Sequence, residues 1–369
     1  MDILSPEAIA AVKVSLKDLE TAMDSNASNE TINGRVEELE RTANSRLKPF
    51  PNPEWRENIE VFLVAIAVAM AIRTFFLQPF KIPTGSMQPT LYGVTVKNLK
   101  DEPNSKVPGA WGRFVDVAAY GTYYHELIAE QDGTVEWIGP AAKTAKFINK
   151  REVKLSYRAK PYTIWCTPDE DGSHRFEQYS GLQVGQSFQK GEPVWRFKEV
   201  TGDHLFVDRM TYNFRHPQRG EIIVFATKGI HYDRNAFRED MPQDQFYIKR
   251  LIGLGGETIS SGADRHIRIN GLRLDASTPR FENLYSFTNS VGADSQYSGH
   301  TPVGYLDYNE EMKGFQSYVI HPKHFFAMGD NTVNSSDSRY WGELPEDNVI
   351  GKPCFIYWPI SPRFGWGYR

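Results

Sequence analysis

Cysteine is scarce in this chain, and its scarcity restricts the chemistry that the protein can use. The 369 residues include two cysteines, Cys166 and Cys354, far apart in sequence. Neither stands with histidines at a spacing typical of zinc sites, and the nine histidines are scattered. We therefore expect no metal site and no cofactor. The sequence leaves open whether the two thiols are free or form a disulfide.

The chain also lacks an excess of positive charge. Its formal net charge is −4, which gives no electrostatic reason to expect a nucleic-acid partner. The polar beginning of the chain lacks the apolar core of a cleavable signal peptide. The sequence has instead 13% aromatic residues, 22 prolines and 29 glycines, a composition that favours a mainly β fold of strands and turns.

One long apolar run lies between Ile59 and Leu77, and its charges, Glu60 and Arg73, stand near its two ends. Its length matches the roughly 20 residues that cross a bilayer, and it is apolar on every face. We predict a transmembrane helix over 58–78, with a buried helix of a soluble domain as the alternative. More basic residues closely precede the run than follow it, which favours a cytoplasmic N-terminus.

A polar N-terminal arm, residues 1–54, precedes this run. Ser5, Pro6 and Glu7 are typical of a helix start, with a capping serine, a proline in the first turn and an acid after it. Apolar residues then recur at spacings of three and four in two stretches. The pattern predicts a cytoplasmic helical arm, either a helical hairpin or a tether with transient helices.

The segment Pro79–Leu91 directly follows the apolar run and contains a serine between prolines. Pro83 and Pro89 stiffen the chain on either side, and Gly85 permits a sharp turn just before Ser86. These features predict a serine held on a constrained turn directly after the span, with a proline-rich linker as the alternative.

The stretch Pro-Thr-Gly-Ser-Met-Gln-Pro-Thr-Leu, residues 83–91, resembles the serine box of the type I signal peptidases. These are membrane-bound Ser/Lys proteases that remove signal peptides. The resemblance implies an antiparallel β-sheet catalytic domain over 79–369, with Ser86 as the nucleophile. It also implies that the N-terminus is cytoplasmic and that the catalytic domain lies on the outer, periplasmic side of the inner membrane.

A second stretch, Phe246–Glu257, places Lys249 in an apolar strand. Burial lowers the pKa of a lysine and favours the neutral amine, which is the general base that a serine nucleophile needs. The stretch resembles the lysine box of the same family, which implies that Lys249 takes the proton from Ser86. It departs from the family pattern at Gly255 and Glu257, where Pro and Asp are usual.

A third stretch, residues 326–342, is dense in polar side chains after an apolar strand, as expected for a buried hydrogen-bond network. It resembles the family's third box except at Thr332 and Val333. By this resemblance, Ser335 hydrogen-bonds Lys249 and orients it. The resemblance also implies a structural brace in which Asp337 pairs with Arg339 and with Arg250.

Residues 92–201 interrupt this resemblance. The family continues soon after its serine box with a Gly-Asp pair, which here appears as Gly202 and Asp203. The inserted 110 residues alternate as strands at Thr134–Ile138, Val153–Tyr157 and Pro193–Phe197. We predict a β-rich insertion within the catalytic domain. That it binds a further partner is a hypothesis.

The resemblance implies a mechanism and a substrate. The Ser86 N–H and the Thr84 hydroxyl are the implied oxyanion donors, and the implied substrates are secretory preproteins with small residues at positions −1 and −3. The residues that match the family's substrate pockets are Phe80, Ile82, Pro83, Leu91, Tyr247 and Ile248. The lipid bilayer is the other expected partner.

Two other interpretations of the sequence compete with a signal peptidase. A Ser/His/Asp hydrolase would use His204, His216 or His324, but none of them stands in a recognisable motif. A membrane-anchored β-rich binding protein on an inactive or narrow-specificity signal-peptidase-like scaffold would have the same span and strands. The presence of both dyad residues favours the enzyme.

Overall fold

The structure, a computed structural model, describes most of the chain. The described residues are 5–25, 27–46, 53–100, 102, 105–140, 142–145, 148–165, 175–230, 242–262, 264–286, 298–300 and 317–367. Cys166 lies outside them, and Cys354 is a free thiol. The chain forms two compact units that divide between residues 71 and 72.

The N-terminal unit is helical. Its helices are α1 (Pro6–Asp24), α2 (Asn29–Arg46) and α3 (Pro53–Phe75), the last of which continues past the unit boundary. The Ser5 hydroxyl caps α1 by accepting a hydrogen bond from the Ala8 N–H at 3.2 Å, as the helix-start pattern predicts. Within α3, Trp55–Phe75 is long and apolar enough to cross a bilayer, and none of it is buried.

The helix α3 ends three residues before the predicted end of the span. Leu77 already belongs to the first strand of the second unit, where it pairs with Asp208. The Arg209 N–H donates to the Phe76 carbonyl at 3.0 Å and extends this pairing to the residue between helix and strand. Sheet pairing therefore ends the helix before Pro79 does.

The second unit is mainly β, as predicted. In chain order its elements are β1 (Leu77–Lys81), β2 (Thr95–Asn98), α4 (Ala110–Tyr120), β3 (Thr122–Ile128), β4 (Gly133–Ile138), β5 (Ala142–Ala145), β6 (Ile148–Leu155), β7 (Tyr162–Trp165), α5 (Arg175–Ser180), β8 (Ser187–Phe188), β9 (Pro193–Val200), β10 (His204–Asp208), α6 (Thr211–Phe214), β11 (Ile222–Ala226), β12 (Phe246–Leu254), β13 (Thr258–Ser261), β14 (Ile267–Ile269), β15 (Leu272–Arg273), β16 (Tyr318–Val319), β17 (His324–Met328), α7 (Ser338–Trp341), β18 (Leu344–Pro345), β19 (Val349–Trp358) and β20 (Gly365–Trp366).

The main sheet has the strand order β1-β10-β19-β11-β12-β17-β18, with β20 paired to β19, and its pairs are antiparallel. Apolar side chains on β10, β11 and β19 form a core together with Met87 and Leu91, which follow β1. A smaller sheet, β15-β14-β13-β16, has its own core, which includes Phe281 and Ile320.

The insertion, residues 92–201, contains the sheet β2-β9-β3 and the sheet β5-β6-β4-β8, with β7 paired to β6. The strand positions predicted for it agree with β4, β6 and β9. Its interior is apolar and aromatic, and the largest fully buried side chains there are those of Leu155, Phe176, Leu182 and Phe197.

The two ends of the insertion meet at one point. The Asp203 N–H donates to the Tyr92 carbonyl at 2.8 Å, and the Tyr92 N–H donates to the Asp203 carboxylate at 2.8 Å. Arg363 holds the same carboxylate with two bonds of 2.9 Å. Gly202 packs so closely here that an added Cβ would come within 1.8 Å of the Ile82 carbonyl oxygen. The inserted segment therefore leaves and rejoins the main sheet at neighbouring positions.

Candidate active site

Ser86 lies in a short helical turn, Gly85–Met87, that follows β1. The side chains of Met87 and Leu91 are fully buried in the core beneath it, which anchors the turn on its C-terminal side. On the N-terminal side, the Ile82 N–H donates to the Asp203 carbonyl at 2.9 Å. Ser86 itself is buried, so its hydroxyl is held in place and shielded from bulk water.

Lys249 reaches Ser86 from the middle of the main sheet. Strand β12 lies between β11 and β17, and Lys249 pairs with Ile223 across the sheet. Its Nζ is 2.9 Å from Ser86 Oγ and 3.0 Å from the Ile248 carbonyl oxygen. The structure thus brings together the two residues that the sequence predicts as a dyad, although they are 163 positions apart.

The Lys249 amine is easier to deprotonate than an ordinary lysine. Burial lowers its pKa from the ordinary value of 10.5 to about 8. The nearby carboxylates of Asp337 and Asp330 oppose this shift and Arg339 adds to it. Because desolvation penalises the ammonium form, a usable fraction of Lys249 carries the lone pair needed to accept a proton.

A cavity of about 490 Å³ opens over this pair. Three segments form it: the chain around Ser86, the first half of β12, and the loop after β17. The residues that line it are Ile82, Pro83, Thr84, Gly85, Ser86, Gln245, Phe246, Tyr247, Ile248, Lys249, Val333, Asn334, Ser335, Ser336 and Tyr340. Of the predicted substrate-binding residues, Ile82, Pro83, Tyr247 and Ile248 are among these.

Two predicted substrate-binding residues do not line the cavity. Leu91 is fully buried in the core, because the chain turns inward after Ser86. Phe80 packs edge-on against Phe246 with ring centroids 5.4 Å apart, so it supports the cavity wall from behind. A match to a family motif identifies a residue, but it does not show whether the side chain lines the cavity.

Thr84, the predicted second oxyanion donor, lies near Ser86 in sequence. It is exposed, lines the cavity and directly precedes the turn that carries Ser86. Its hydroxyl does not cap that turn.

Arg250 does not pair with Asp337, contrary to the prediction. Successive residues of a strand point to opposite faces, so Arg250 points away from the face that Lys249 occupies. It makes two hydrogen bonds to Asp330, Nε to Oδ1 at 2.7 Å and Nη2 to Oδ2 at 2.6 Å. Thr90 also donates to the Asp330 carboxylate. The pair links β12, the loop after β17 and the chain that follows Ser86.

Asp337 pairs with Arg339, as predicted, through bonds of 2.8 and 3.0 Å. Burial alone would raise the pKa of the Asp337 carboxyl, but the Arg339 guanidinium and the Gly329 N–H outweigh it and the pKa is lowered. This carboxylate also accepts the Gly329 N–H at 3.0 Å, so the ion pair fixes the start of the loop after β17.

Ser335 lines the cavity, but its predicted hydrogen bond to Lys249 is absent from the described residues. Its buried hydroxyl has no partner there with acceptable geometry, although it lies close enough to Asp337 to help lower the pKa of that carboxyl. The hydroxyl lies over Gly329, where an added Cβ would be 2.3 Å from Ser335 Oγ and 2.5 Å from the Ser86 carbonyl oxygen. Glycine at 329 therefore permits the close approach of these two segments.

Sequence reasoning missed several residues of the site. Gln245, Phe246, Val333, Asn334, Ser336 and Tyr340 line the cavity, and Asp330 and Asn331 support it. The sequence indicated these residues only by their position, because each lies within or beside a stretch that resembles a family box. In the parts of the chain that the structure describes, no group of three or more His, Cys, Asp or Glu residues is arranged to hold a metal ion.

The profile of the family described as "Signal peptidase, peptidase S26" matches residues 55–100 and 198–358. That match covers more than half of the chain and includes Ser86, Lys249 and the loop after β17. The chain belongs to this signal peptidase family. The unmatched stretch between the two segments, residues 101–197, falls wholly within the insertion.

Named relatives agree with the family. A signal peptidase I of Leptolyngbya laminosa is 30% identical over 43% of this chain and 62% of its own length. One of Pseudomonas fluorescens is 27% identical over 44% of this chain and 60% of its own. The chain thus spans about 60% of the length of these curated relatives.

A crystal structure of a signal peptidase I from Enterococcus faecalis is 30% identical. The match covers 37% of this chain and 97% of that one, with a TM-score of 0.26. Because this score is low, family membership rests on the sequence matches and the fold is described from this structure alone.

Proposed function

We propose that this protein is a membrane-bound serine endopeptidase that removes signal peptides from exported preproteins. The observation that carries the proposal is the 2.9 Å contact between Lys249 Nζ and Ser86 Oγ inside a cavity with apolar walls. A lysine amine whose pKa burial has lowered to about 8 is suited to accept the serine proton.

In the proposed reaction, neutral Lys249 takes the proton from the Ser86 hydroxyl as the oxygen attacks the scissile carbonyl carbon. The Ser86 N–H and the Thr84 hydroxyl then stabilise the negative charge on the carbonyl oxygen. As the C–N bond breaks, the Lys249 ammonium gives its proton to the leaving amine. Water, deprotonated by Lys249, hydrolyses the resulting ester on Ser86 and frees the enzyme.

The cavity walls support a preference for small, uncharged side chains beside the cut. Ile82, Pro83, Tyr247 and Ile248 present apolar surface around the dyad. A buried charge without a partner is costly, so charged residues at the positions that enter the cavity would bind poorly. Small side chains at positions −1 and −3 of a preprotein meet this requirement.

We also propose that α3 anchors the enzyme in the plasma membrane as a single span, with the N-terminal arm in the cytoplasm and the catalytic domain outside. The apolar, fully exposed stretch Trp55–Phe75 supports the anchor. The organisation that we propose is an arm over 1–54, a span within 58–78 and a catalytic domain over 79–369 that contains the insertion 92–201.

Cleavage of a preprotein by the purified, detergent-solubilised protein tests this proposal. We expect the unaltered protein to cut after a small residue, and Ser86→Ala and Lys249→Ala to be inactive while still folded. Lys154→Ala is the matched control, because Lys154 lies on the insertion and pairs with Glu136 at 2.8 Å in solvent. Full activity of Lys249→Ala would show that another group is the base. An inactive unaltered protein would favour the binding-scaffold alternative.

A further inference from the structure

Asn331 makes contacts on both sides of the nucleophile. Its backbone N–H donates to the Ser86 carbonyl at 3.0 Å, and its side-chain Nδ2 donates to the Gly85 carbonyl at 3.1 Å. Asn331 is buried in the loop after β17 and is 245 positions from Ser86. One residue therefore holds two consecutive peptide groups around the nucleophile.

The contact with Gly85 bears on the Ser86 N–H, because the two belong to the same peptide group. A trans peptide is planar, and its C=O and N–H point in opposite directions. The direction of the Gly85 carbonyl thus sets the direction of the Ser86 N–H. That N–H lies in the first part of a helical turn, where N–H groups have no partner within the turn.

This peptide plane is held from inside and from outside the turn. It rotates about ψ of Gly85, and glycine tolerates a wider range of backbone angles than other residues. Within the turn, the Gln88 N–H donates to the Gly85 carbonyl at 3.2 Å. The Asn331 amide adds a second donor, at 3.1 Å, from the loop after β17.

We propose that Asn331 is a positioning residue that holds the Ser86 N–H toward the oxyanion of the transition state. This inference rests on the proposed function, because it takes Ser86 to be the nucleophile. Asn331 acts through the Gly85–Ser86 peptide and does not need to touch the substrate.

Asn331 is itself fixed by the two buried ion pairs. Arg250 holds Asp330, the residue before Asn331, and Asp337 accepts the N–H of Gly329 one residue earlier. The ion pairs therefore fix the backbone from which the Asn331 amide reaches Gly85. Besides their direct electrostatic effect on Lys249, they thus also support the position of this amide.

Steady-state kinetics of Asn331→Ala and Asn331→Asp test the inference. Alanine removes the donor, and aspartate keeps the shape but presents a carboxylate to the Gly85 carbonyl. We expect kcat to fall about 10- to 100-fold in both, somewhat less than the loss of a whole oxyanion donor. We expect KM to stay within about twofold, because the interaction acts in the transition state. In Asn331→Ala the pH profile should keep its apparent pKa, because the change adds no charge near Lys249. In Asn331→Asp the added carboxylate should raise that pKa, as the carboxylates of Asp337 and Asp330 do.

Asn348→Ala is the matched control. Asn348 also donates its Nδ2 to two backbone carbonyls, those of Ala226 and Lys228 at 3.0 and 2.8 Å, but it does not line the cavity. Its kcat should match the unaltered protein even if its melting temperature falls.

If the unaltered protein cleaves and Asn331→Ala keeps kcat within about threefold, the positioning role is wrong. In Asn331→Ala, a loss that appears in KM, or one that comes with a shifted pH profile, also overturns it, because substrate binding or Lys249 would then be affected instead. If the unfolded fraction of the variant fully accounts for its loss of kcat, the positioning role is also wrong. If the unaltered protein does not cleave at all, the proposed function is wrong. The inference about Asn331 is then wrong as well, because it takes Ser86 to be the nucleophile.

Discussion

The insertion and the main sheet are both antiparallel and both enclose an apolar core, yet their interiors differ in charge. The insertion buries aromatic and aliphatic side chains, and among its described residues each ion pair, such as Lys154–Glu136, keeps at least one partner partly exposed to solvent. Arg151 is buried there; it donates to the Gly139 carbonyl, lies over the Phe176 ring and pairs with the partly exposed Glu177 at 3.7 Å. The main sheet instead buries a lysine beside a serine, together with two Arg–Asp pairs.

The difference indicates which part of the molecule carries the chemistry. Desolvating charged groups costs free energy, and apolar side chains of similar size often stabilise a fold as well or better. The interior of the insertion is accordingly built mainly of apolar side chains, whereas the candidate active site buries charged groups. We therefore infer that the charges under the cavity are retained because they hold and tune the reacting groups.

Replacing Lys249 with methionine gives the largest expected effect. We expect kcat/KM to fall by about 10⁴-fold or more, because the base is lost. At pH 7 we expect the variant to be more stable to urea, by at most about 3 kcal/mol, because burial has lowered the pKa of Lys249 from 10.5 to about 8.

The stability advantage of Lys249→Met should decrease as pH rises. Between pH 8 and 10.5 the unfolded state binds more protons at Lys249 than the folded state, so the unaltered protein gains stability as pH rises. The advantage of Lys249→Met should shrink across this window. Urea unfolding at pH 7 and pH 10 measures it, and a variant less stable than the unaltered protein at pH 7 would contradict the argument.

Asp330→Ala should cost stability in the main sheet by about 3–5 kcal/mol, because it leaves the Arg250 guanidinium buried without its carboxylate. The double variant Arg250→Met/Asp330→Leu is the control, since it removes both charges and should recover much of the loss. Denaturant unfolding measures both. Equal stabilities for the single variant and the unaltered protein would mean that the buried pair is not needed for folding.

Leu155→Ala makes the corresponding change in the insertion. Leu155 is fully buried there, so its truncation should cost about 3 kcal/mol through lost burial and a cavity. The folded variant should cleave with unchanged kcat/KM, because no charge under the cavity is disturbed. Leu155→Met, which nearly conserves volume, is the control. A fall in kcat/KM of the folded protein would show that the insertion supports the site.

The pH dependence of the unaltered enzyme should show the smallest effect. Below pH 8 we expect kcat/KM to rise about tenfold per pH unit, because the neutral fraction of Lys249 rises at that rate. Above pH 8 the profile should level off. Circular dichroism at each pH checks that the protein stays folded. A flat profile from pH 6 to 8 would show that proton transfer to Lys249 does not control the rate.

The resemblance of two long stretches to a known family predicted that Ser86 and Lys249 meet, and the structure places their side chains 2.9 Å apart; their catalytic roles are proposed. The sequence was insufficient for the partner of Arg250, because strand alternation turns this residue away from Lys249 and toward Asp330. The motif position of Leu91 likewise does not reveal that its side chain points into the core. The mainly β fold and the strands of the insertion followed from composition and alternation, while the end of α3 was set by the pairing of Leu77.

The short link between α3 and β1 has a consequence for where the enzyme can cut. A single residue, Phe76, separates them, and nine residues lead from Leu77 to Ser86. Even a fully extended chain of that length reaches roughly 30 Å. If α3 crosses a bilayer as proposed, this length sets an upper limit on the distance between the lipid and the nucleophile. The proposed enzyme would leave a cleavage site displayed beyond that limit uncut whatever its sequence, so distance from the membrane would add to its specificity.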